Sequence, residues 1–259
     1  MSAPPQTRHT PKLLPRRFYS RSPDTVARAL LGKLLIRDLQ GKRLTARITE
    51  VEAYLGLIDP ASHAARGLTP SNAILYGPSG HVYVYFIYGM YYCLNVASHL
   101  PGEAGGVLIR ALDPIDGLET MADLRGLPHN AKSKLLTGGP GRLCQALDIT
   151  RKNSNGLDVT SPTSAIQIAD DGHRPTEIQI TPRIGISKAV DRPLRFLIGE
   201  IAKAKRSTSR APENWVRLTP TQSRKHENHA KPCALLKGTA SAVPEKPRRR
   251  RLLLCRRPE

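Results

Sequence analysis

Apolar and polar residues alternate along two neighbouring runs in the middle of the chain. The first run is Val82–Ile87, the second is Tyr91–Ser98, and Tyr88-Gly89-Met90 separates them. A period of two is typical of β-strands, and so short a separation predicts a β-hairpin. Because its turn carries a tyrosine and a methionine in place of the usual Asn, Asp or Ser, the tip presents apolar surface to solvent.

The same patterns predict the other elements. Further strands are predicted at Lys33–Asp38, Arg43–Tyr54, Gly106–Leu112 (ended by Asp113-Pro114) and around residues 164–169, 177–181 and 194–198. Helices are predicted from Ser22-Pro23-Asp24 to Gly32, from about Asp116 to Leu124 and from Arg142 to Leu147, and Asn155-Gly156 signals a hairpin. Strands mixed with isolated helices, without βαβ alternation, predict a single domain of the α+β class.

The strand Arg43–Tyr54 carries two carboxylates. Strict alternation places six of its residues on one face: Leu44, Ala46, Ile48, Glu50, Glu52 and Tyr54. An ionised carboxylate is costly on an apolar face, and such settings are found at general bases. The alternative is a strand end that emerges into solvent.

Two further polar residues interrupt apolar strands. Arg110 lies in Val107–Leu112, where an arginine requires a carboxylate partner, and Glu50 and Glu52 are the candidates. A structural ion pair and an active-site pair are both compatible with this pattern. Asn95 lies among apolar neighbours and either satisfies a backbone group or faces a ligand.

Aromatic residues are concentrated around the predicted hairpin. Five of the eight tyrosines lie between positions 83 and 92. Four rings offer flat surfaces on which nucleic-acid bases could stack, although each alone could be an ordinary core or loop aromatic: Tyr54, His63, Tyr85 and Tyr88. Further along, Gly139-Pro140-Gly141 could bind phosphate through backbone N–H groups. That segment weakly resembles a helix–hairpin–helix motif, with Asp158 as a candidate catalytic acid.

Positive charge is concentrated at the two ends of the 259-residue chain, whose formal net charge is +19. Residues 1–17 carry four Lys and Arg and no acid, and residues 201–259 carry sixteen against four Asp and Glu. We therefore predict a basic disordered arm over 1–17, a folded domain over 18–199 and a basic disordered tail over 200–259. Basic arms favour polyanions through counterion release, and a solubilising extension is the alternative.

Cysteine spacing and hydropathy limit the classes of protein to which the chain can belong. The four cysteines are far apart, without a C-x-x-C pair, so we expect reduced thiols and no metal or cofactor. No run approaches the roughly 18 apolar residues of a membrane span. No secretory signal is visible, whereas the acid-free N-terminus leaves a transit peptide as an alternative.

Five segments in order resemble the alkyladenine (3-methyladenine) DNA glycosylases of the mammalian type: ARITEVEAYLG, HVYVYFIYGMYYCLN, VLIRALDPIDGLETM, LTGGPGRLCQAL and TPRIGISKAVDRPLRF. The resemblance runs from about Arg17 to Ile198. It implies one mixed domain around a curved antiparallel sheet, from which a β-hairpin projects into the DNA minor groove. After Arg195–Leu197 the chain departs from the family, because the expected closing aromatic segment is missing.

The resemblance also implies residue roles. Glu52 would be the general base that deprotonates a water, which Arg110 and the backbone carbonyl of Ile184 help to hold. Tyr88, with Met90 beside it, would intercalate and fill the gap left by the extruded nucleotide. Tyr54 and His63 would stack on one face of the flipped base and Tyr85 on the other. Asn95 would exclude normal guanine.

The function that the resemblance implies is base excision. We expect a monomeric, monofunctional glycosylase that hydrolyses the N-glycosidic bond of alkylated, and in some cases deaminated, purines in double-stranded DNA. Its location would be the cytoplasm with the bacterial nucleoid, or the nucleus of a eukaryote. A non-catalytic nucleic-acid-binding protein is the first alternative, and a helix–hairpin–helix glycosylase using Asp158 is the second.

Overall fold

A computed structural model of the protein describes residues 10–199, which form one sheet with short helices around it. The strands are β1 (Lys12–Leu13), β2 (Leu34–Leu39), β3 (Lys42–Tyr54), β4 (Val82–Ile87), β5 (Tyr91–Ala97), β6 (Gly106–Asp116), β7 (Ile166–Asp170), β8 (Ile178–Thr181) and β9 (Arg195–Ile198). The helices are α1 (Arg16–Tyr19), α2 (Pro23–Leu30), α3 (Leu118–Arg125), α4 (Ser133–Thr137), α5 (Pro140–Ala146) and α6 (Arg151–Ser154), with 3₁₀ turns at Gly56–Ile58 and Ala73–Tyr76. The predicted α+β class is confirmed.

The sheet is antiparallel throughout and has the order β1-β7-β2-β3-β6-β5-β4. Strand β3 is its longest member and organises it. One edge of β3 pairs with β6, while the other edge pairs first with β2 and then with β9. Strand β9 also pairs with β8, so the sheet branches and curls at the end of β3. That end, near Glu50–Tyr54, is where the candidate catalytic residues lie.

The prediction of one continuous face along β3 is wrong. The β3–β6 register shifts around Glu50, between Ile48 and Glu50 and again between Glu50 and Val51. The core therefore contains Leu44, Ala46 and Ile48 from the first half of β3 but Val51 and Ala53 from the second. A β-bulge changes which side chains face the core, and this bulge turns Glu50 and Glu52 away from the apolar layer.

Most predicted elements are present, with three differences. Strand β6 continues through Asp113-Pro114 to Asp116, and Gly117 in the left-handed region (φ +77°) then begins α3. Asn155-Gly156 does not form a hairpin but follows α6, where the Asn155 side chain accepts from the backbone N–H of Val84 (2.9 Å). Strand β1 and helices α1, α4 and α6 were not predicted.

The two ends of the domain are anchored to the sheet. Residues 10–17, which the charge pattern assigned to the arm, contribute β1 and the start of α1. At the other end Phe196 and Leu197 are buried, and β9 pairs with both β3 and β8 despite the missing aromatic segment. The rest of the predicted arm and tail, residues 1–9 and 200–259, lies outside the described residues. None of the described helices is long and apolar enough to cross a membrane.

Candidate active site

A cavity of about 1430 Å³ opens between the hairpin β4–β5, the segment 54–75 and the turn 184–188. Every residue assigned a role at the sequence level lines it except Glu52, which is buried beneath it, and Met90 at the hairpin tip. Apolar and aromatic residues form the larger part of the wall, and the thirteen polar or charged residues among them include five arginines and one lysine.

Glu52 lies behind the cavity-lining residues Tyr54, Arg110 and Ile184, with its side chain fully buried. Its Oε1 accepts a hydrogen bond from the Ile184 backbone N–H (2.8 Å) and pairs with Nη1 of Arg110 (3.2 Å). Its Oε2 accepts from the Tyr54 hydroxyl (2.9 Å). Because three donors from three parts of the fold converge on it, the plane of the carboxylate is fixed.

Arg110 pairs with both candidate carboxylates. Its Nε also lies 3.1 Å from Oε1 of Glu50, which in turn accepts from Nε of Arg195 (2.7 Å). Burial acts to lower the pKa of Arg110, but the charges of Glu52 and Glu50 outweigh it, so the pKa is raised. Arg110 therefore stays a cation beside Glu52. Its guanidinium also contacts Glu50, which is fixed in turn by Arg195.

His63 and Tyr85 lie side by side, so the predicted sandwich with these rings on opposite faces of a base is wrong. Their ring centroids are 4.3 Å apart, which leaves no room for a base between them. Nδ1 of His63 also shares a 2.8 Å hydrogen bond with the Tyr83 hydroxyl. These three rings form one aromatic wall. Burial lowers the pKa of His63, so its imidazole is neutral at pH 7.

Tyr54 contributes a ring to the cavity from the end of β3. The guanidinium of Arg183 lies 4.6 Å from its ring centroid, a cation–π contact. Burial, followed by the charge of Glu52, raises the pKa of the Tyr54 hydroxyl, so it remains protonated and donates to Glu52. The ring is thereby held through its hydroxyl and through one face.

Asn95 lies on β5 opposite Tyr83 and borders the cavity. Its Nδ2 donates to the carbonyls of Tyr83 (3.2 Å) and Cys93 (3.4 Å). The amide therefore satisfies backbone groups, which is one of the two alternatives left open by the sequence, and the residue also borders the cavity.

The hairpin tip projects from the sheet as predicted. Tyr88 is 73% exposed and Met90 is 62% exposed. Tyr88 adopts a left-handed conformation (φ +54°), which is uncommon for a residue other than glycine, and Gly89 follows at φ +67°. Phe86, on β4 below the tip, is a further exposed aromatic that the sequence analysis did not select. The tip therefore presents an exposed apolar projection beside the cavity mouth.

Asp158, the candidate acid of the helix–hairpin–helix alternative, has a structural role. It pairs with Arg16 at 2.5 Å and accepts from the hydroxyl and the backbone N–H of Thr160. It does not line the cavity. Within residues 10–199, no group of three or more His, Cys, Asp or Glu side chains is arranged to hold a metal ion.

The sequence analysis missed several residues that support the site. They are Tyr83, Arg195 and the pair formed by Asp59 and Arg183. Asp59 and Arg183 are both fully buried, and they are 124 positions apart. Asp59 and Arg183 lie in irregular, proline-containing segments without strand or helix periodicity, so only the tertiary structure identifies them.

Comparisons with known proteins agree with this geometry. Residues 17–201 match the family described as Methylpurine-DNA glycosylase (MPG). A protein of Koribacter versatilis with the curated name "Putative 3-methyladenine DNA glycosylase" is 51% identical over 185 residues, which cover 71% of this chain and 89% of that protein. Proteins with the same name from Methanocella arvoryzae and Alkaliphilus oremlandii are 46% and 43% identical, each over 71% of this chain and over 91% and 95% of their own lengths. The chain therefore belongs to the methylpurine-DNA glycosylase family.

Proposed function

We propose that this DNA glycosylase flips a damaged purine into the cavity and hydrolyses its N-glycosidic bond with a water that Glu52 activates. The observation that carries the proposal is the placement of a fully buried Glu52, held by two hydrogen bonds and by an ion pair with Arg110, under an aromatic-walled cavity. The exposed tip of the β4–β5 hairpin lies beside that cavity.

Flipping is the first step. A base in a duplex must be unstacked before its sugar carbon can be attacked, at a cost of about a few kcal/mol. Tyr88 would occupy the vacated position in the stack and offset part of that cost, with Met90 contacting the neighbouring base pair. Both side chains are exposed on this turn, where Tyr88 and Gly89 have left-handed backbone conformations.

Recognition would use the rings already in contact. We propose that the wall of His63, Tyr83 and Tyr85 covers one face of the flipped base and that Tyr54 covers the other. Alkylation at N3 or N7 gives a purine a positive charge, which strengthens its stacking on tyrosine faces. A neutral His63 avoids repelling such a base. Asn95, held by two backbone carbonyls, would exclude the 2-amino group of normal guanine.

Hydrolysis then needs one water. Its oxygen bonds to C1′ as the bond from C1′ to the base nitrogen breaks, and the base nitrogen takes the electron pair. Glu52 accepts the proton that the water releases. A cationic base leaves as a neutral molecule and needs no further proton. Arg110 and the backbone carbonyl of Ile184 would position the water, while the Ile184 N–H fixes Glu52.

We propose that the enzyme is monofunctional and works as a monomer. Among the cavity-lining residues of the described region, Lys188 is the one lysine, and it is exposed at the rim, whereas the buried carboxylate is central. Water rather than an amine would therefore attack, which leaves an abasic site in an intact strand. A single chain supplies every residue assigned a role here.

The test is base release from defined duplexes. Purified protein is incubated with DNA containing 3-methyladenine, 7-methylguanine, hypoxanthine or ethenoadenine, and the free base and strand breaks are measured separately. We expect release of at least one alkylated purine and strand cleavage only after alkali. Binding to every duplex without release of any base would favour the non-catalytic alternative, and cleavage without alkali would contradict the monofunctional assignment.

A further inference from the structure

Asp59 and Arg183 form an ion pair that no solvent reaches. Both side chains are 0% exposed, and two contacts join them, from Nη1 to Oδ2 at 2.5 Å and from Nη2 to Oδ1 at 2.8 Å. Asp59 also accepts from the backbone N–H groups of Leu55 (3.1 Å) and Ala61 (3.2 Å). Burying two charges carries a large desolvation penalty, which apolar residues of similar volume would avoid. A gain in stability is therefore a poor explanation for the presence of this pair.

The position of the pair links it to Glu52. Nη1 of Arg183 donates to the carbonyl of Ala53 (3.0 Å), the residue between Glu52 and Tyr54. The same guanidinium lies 4.6 Å from the Tyr54 ring centroid. The residue that follows it, Ile184, donates its N–H to Oε1 of Glu52 at 2.8 Å. Two of the three donors on Glu52 therefore depend on where Arg183 lies.

Both members of the pair are charged. Burial acts to raise the pKa of Asp59, but hydrogen bonds from Arg183 and Leu55, with the Arg183 charge, lower it below its ordinary value. Burial acts to lower the pKa of Arg183, but Asp59 raises it. The pair is neutral as a unit, so it adds little net charge to the cavity. Its contribution is geometric, because a planar guanidinium held by a carboxylate has a fixed orientation.

We propose that Asp59 and Arg183 are positioning residues for base excision, which set the Tyr54 ring and the Ile184 amide against Glu52 without touching the base. This inference rests on the role of Glu52 given under the proposed function. Asp59 anchors the loop 55–61, and the guanidinium joins that loop to β3 and to the turn at Ile184. The alternative is that the pair serves only to hold the loop in the fold.

The test replaces the charges by amides of similar size. In the double variant Asp59→Asn/Arg183→Gln, the asparagine Oδ1 can still accept from one of the two loop N–H groups, which donate to different oxygens of Asp59, and the glutamine can still donate to Ala53. The bidentate fork and its contact with the Tyr54 ring are lost. No unpaired charge remains buried, so the domain should keep its melting temperature far better than either single variant.

A control with the same chemistry lies earlier on β3, in a pair whose side chains are 21% and 20% exposed rather than fully buried. Arg47 forms a two-point pair with Asp171 (2.8 and 3.1 Å) and donates to the carbonyl of Gly32 (2.6 Å). None of these residues lines the cavity. The variant Asp171→Asn/Arg47→Gln therefore makes the same chemical change without altering the surroundings of Glu52.

Single-turnover excision and lesion-duplex affinity are measured for the wild type and both variants, alongside melting temperatures. We expect the Asp59/Arg183 variant to lose about 100-fold in rate, the effect of a misplacement of about 1 Å at a reacting centre. Its dissociation constant should stay within about 3-fold, because the residues that contact DNA are unchanged. The Arg47/Asp171 variant should excise at the wild-type rate.

Three outcomes would overturn the inference: a wild-type rate in the Asp59/Arg183 variant, equal losses in both variants, or a loss of affinity that accounts for the loss of rate. If the double variant does not fold, Arg183→Lys replaces it. That variant keeps the charge but cannot make the fork, so its rate should also fall, and an unchanged rate would refute the role. These results are separable from the proposed function, which fails instead if the wild type releases no base or if Glu52→Gln is fully active.

Discussion

Replacing Glu52 by glutamine removes the proposed base while keeping the shape of the site. A glutamine Oε1 can accept from the Ile184 N–H and Arg110 as the carboxylate does. The Tyr54 hydroxyl, which now donates to Oε2, can rotate and accept from the new amide instead. Arg110 keeps its second carboxylate, Glu50. Each hydrogen bond therefore has a substitute, and the variant should fold.

The expected loss of rate is the contribution of one general base. A positioned general base contributes about 10²- to 10⁴-fold, and each factor of ten corresponds to about 1.4 kcal/mol of activation free energy. Removing it should raise the barrier by roughly 3 to 5 kcal/mol. The loss should be smaller for 3-methyladenine than for hypoxanthine, because a cationic base leaves more readily and needs less help from the attacking water.

The assay is single-turnover release of both bases from matched duplexes, with binding measured separately. We expect Glu52→Gln to bind the lesion duplex nearly as the wild type does while release falls by the factor above. Asp158→Asn serves as the comparison, since Asp158 pairs with Arg16 away from the cavity and should affect folding rather than chemistry. Full activity of Glu52→Gln would refute the assignment. If Glu52→Gln were active and Asp158→Asn inactive, the helix–hairpin–helix alternative would gain support.

Three further outcomes are expected. Tyr88→Ala should slow excision from duplex DNA about 10-fold or more, since about a few kcal/mol of unstacking is no longer offset; an unchanged duplex rate would contradict the wedge. Burial lowers the pKa of His63 in the folded protein below its ordinary 6.5. The unfolded chain therefore binds this proton more readily, and the free energy of unfolding should fall as the pH drops below 6.5. His63→Phe should remove that part of the pH dependence of the melting temperature, and an identical pH dependence would contradict it. Lys188→Ala should excise normally, and borohydride should trap no covalent enzyme–DNA adduct with either protein, whereas a trapped wild-type adduct would show an amine nucleophile.

Local patterns were sufficient for the hairpin and most of the sheet. The alternation in Val82–Ile87 and the unusual turn at Tyr88 depend on neighbouring residues, and the structure reproduces both. The same holds for α2, whose Ser22-Pro23-Asp24 start appears as predicted. These elements are encoded by residues a few positions apart, so they appear in the folded structure unless tertiary contacts oppose them.

Contacts between segments far apart in the sequence could not be predicted from such local patterns. That His63 contacts Tyr85 depends on how the loop 55–76 returns to the hairpin, which no periodicity records. The pairing of Asp59 with Arg183 spans 124 positions and joins two irregular segments. Family resemblance implied individual roles for the rings, but only the coordinates show that His63 and Tyr85 lie in one wall.

The bulge at Glu50 shows why the active-site strand departs from simple alternation. A regular β3 would have carried Glu50 and Glu52 into the layer that holds Leu44 and Ile48, where no donors wait for two carboxylates. The register shift instead gives Val51 and Ala53 to the core, so the strand keeps its apolar contribution without interruption. It also directs both glutamates towards Arg110, which lies between Ala111 and Ile109 where the β6 register itself shifts. Matching irregularities on two paired strands thus place the acid and its cation on the cavity side together, and neither strand alone could do so.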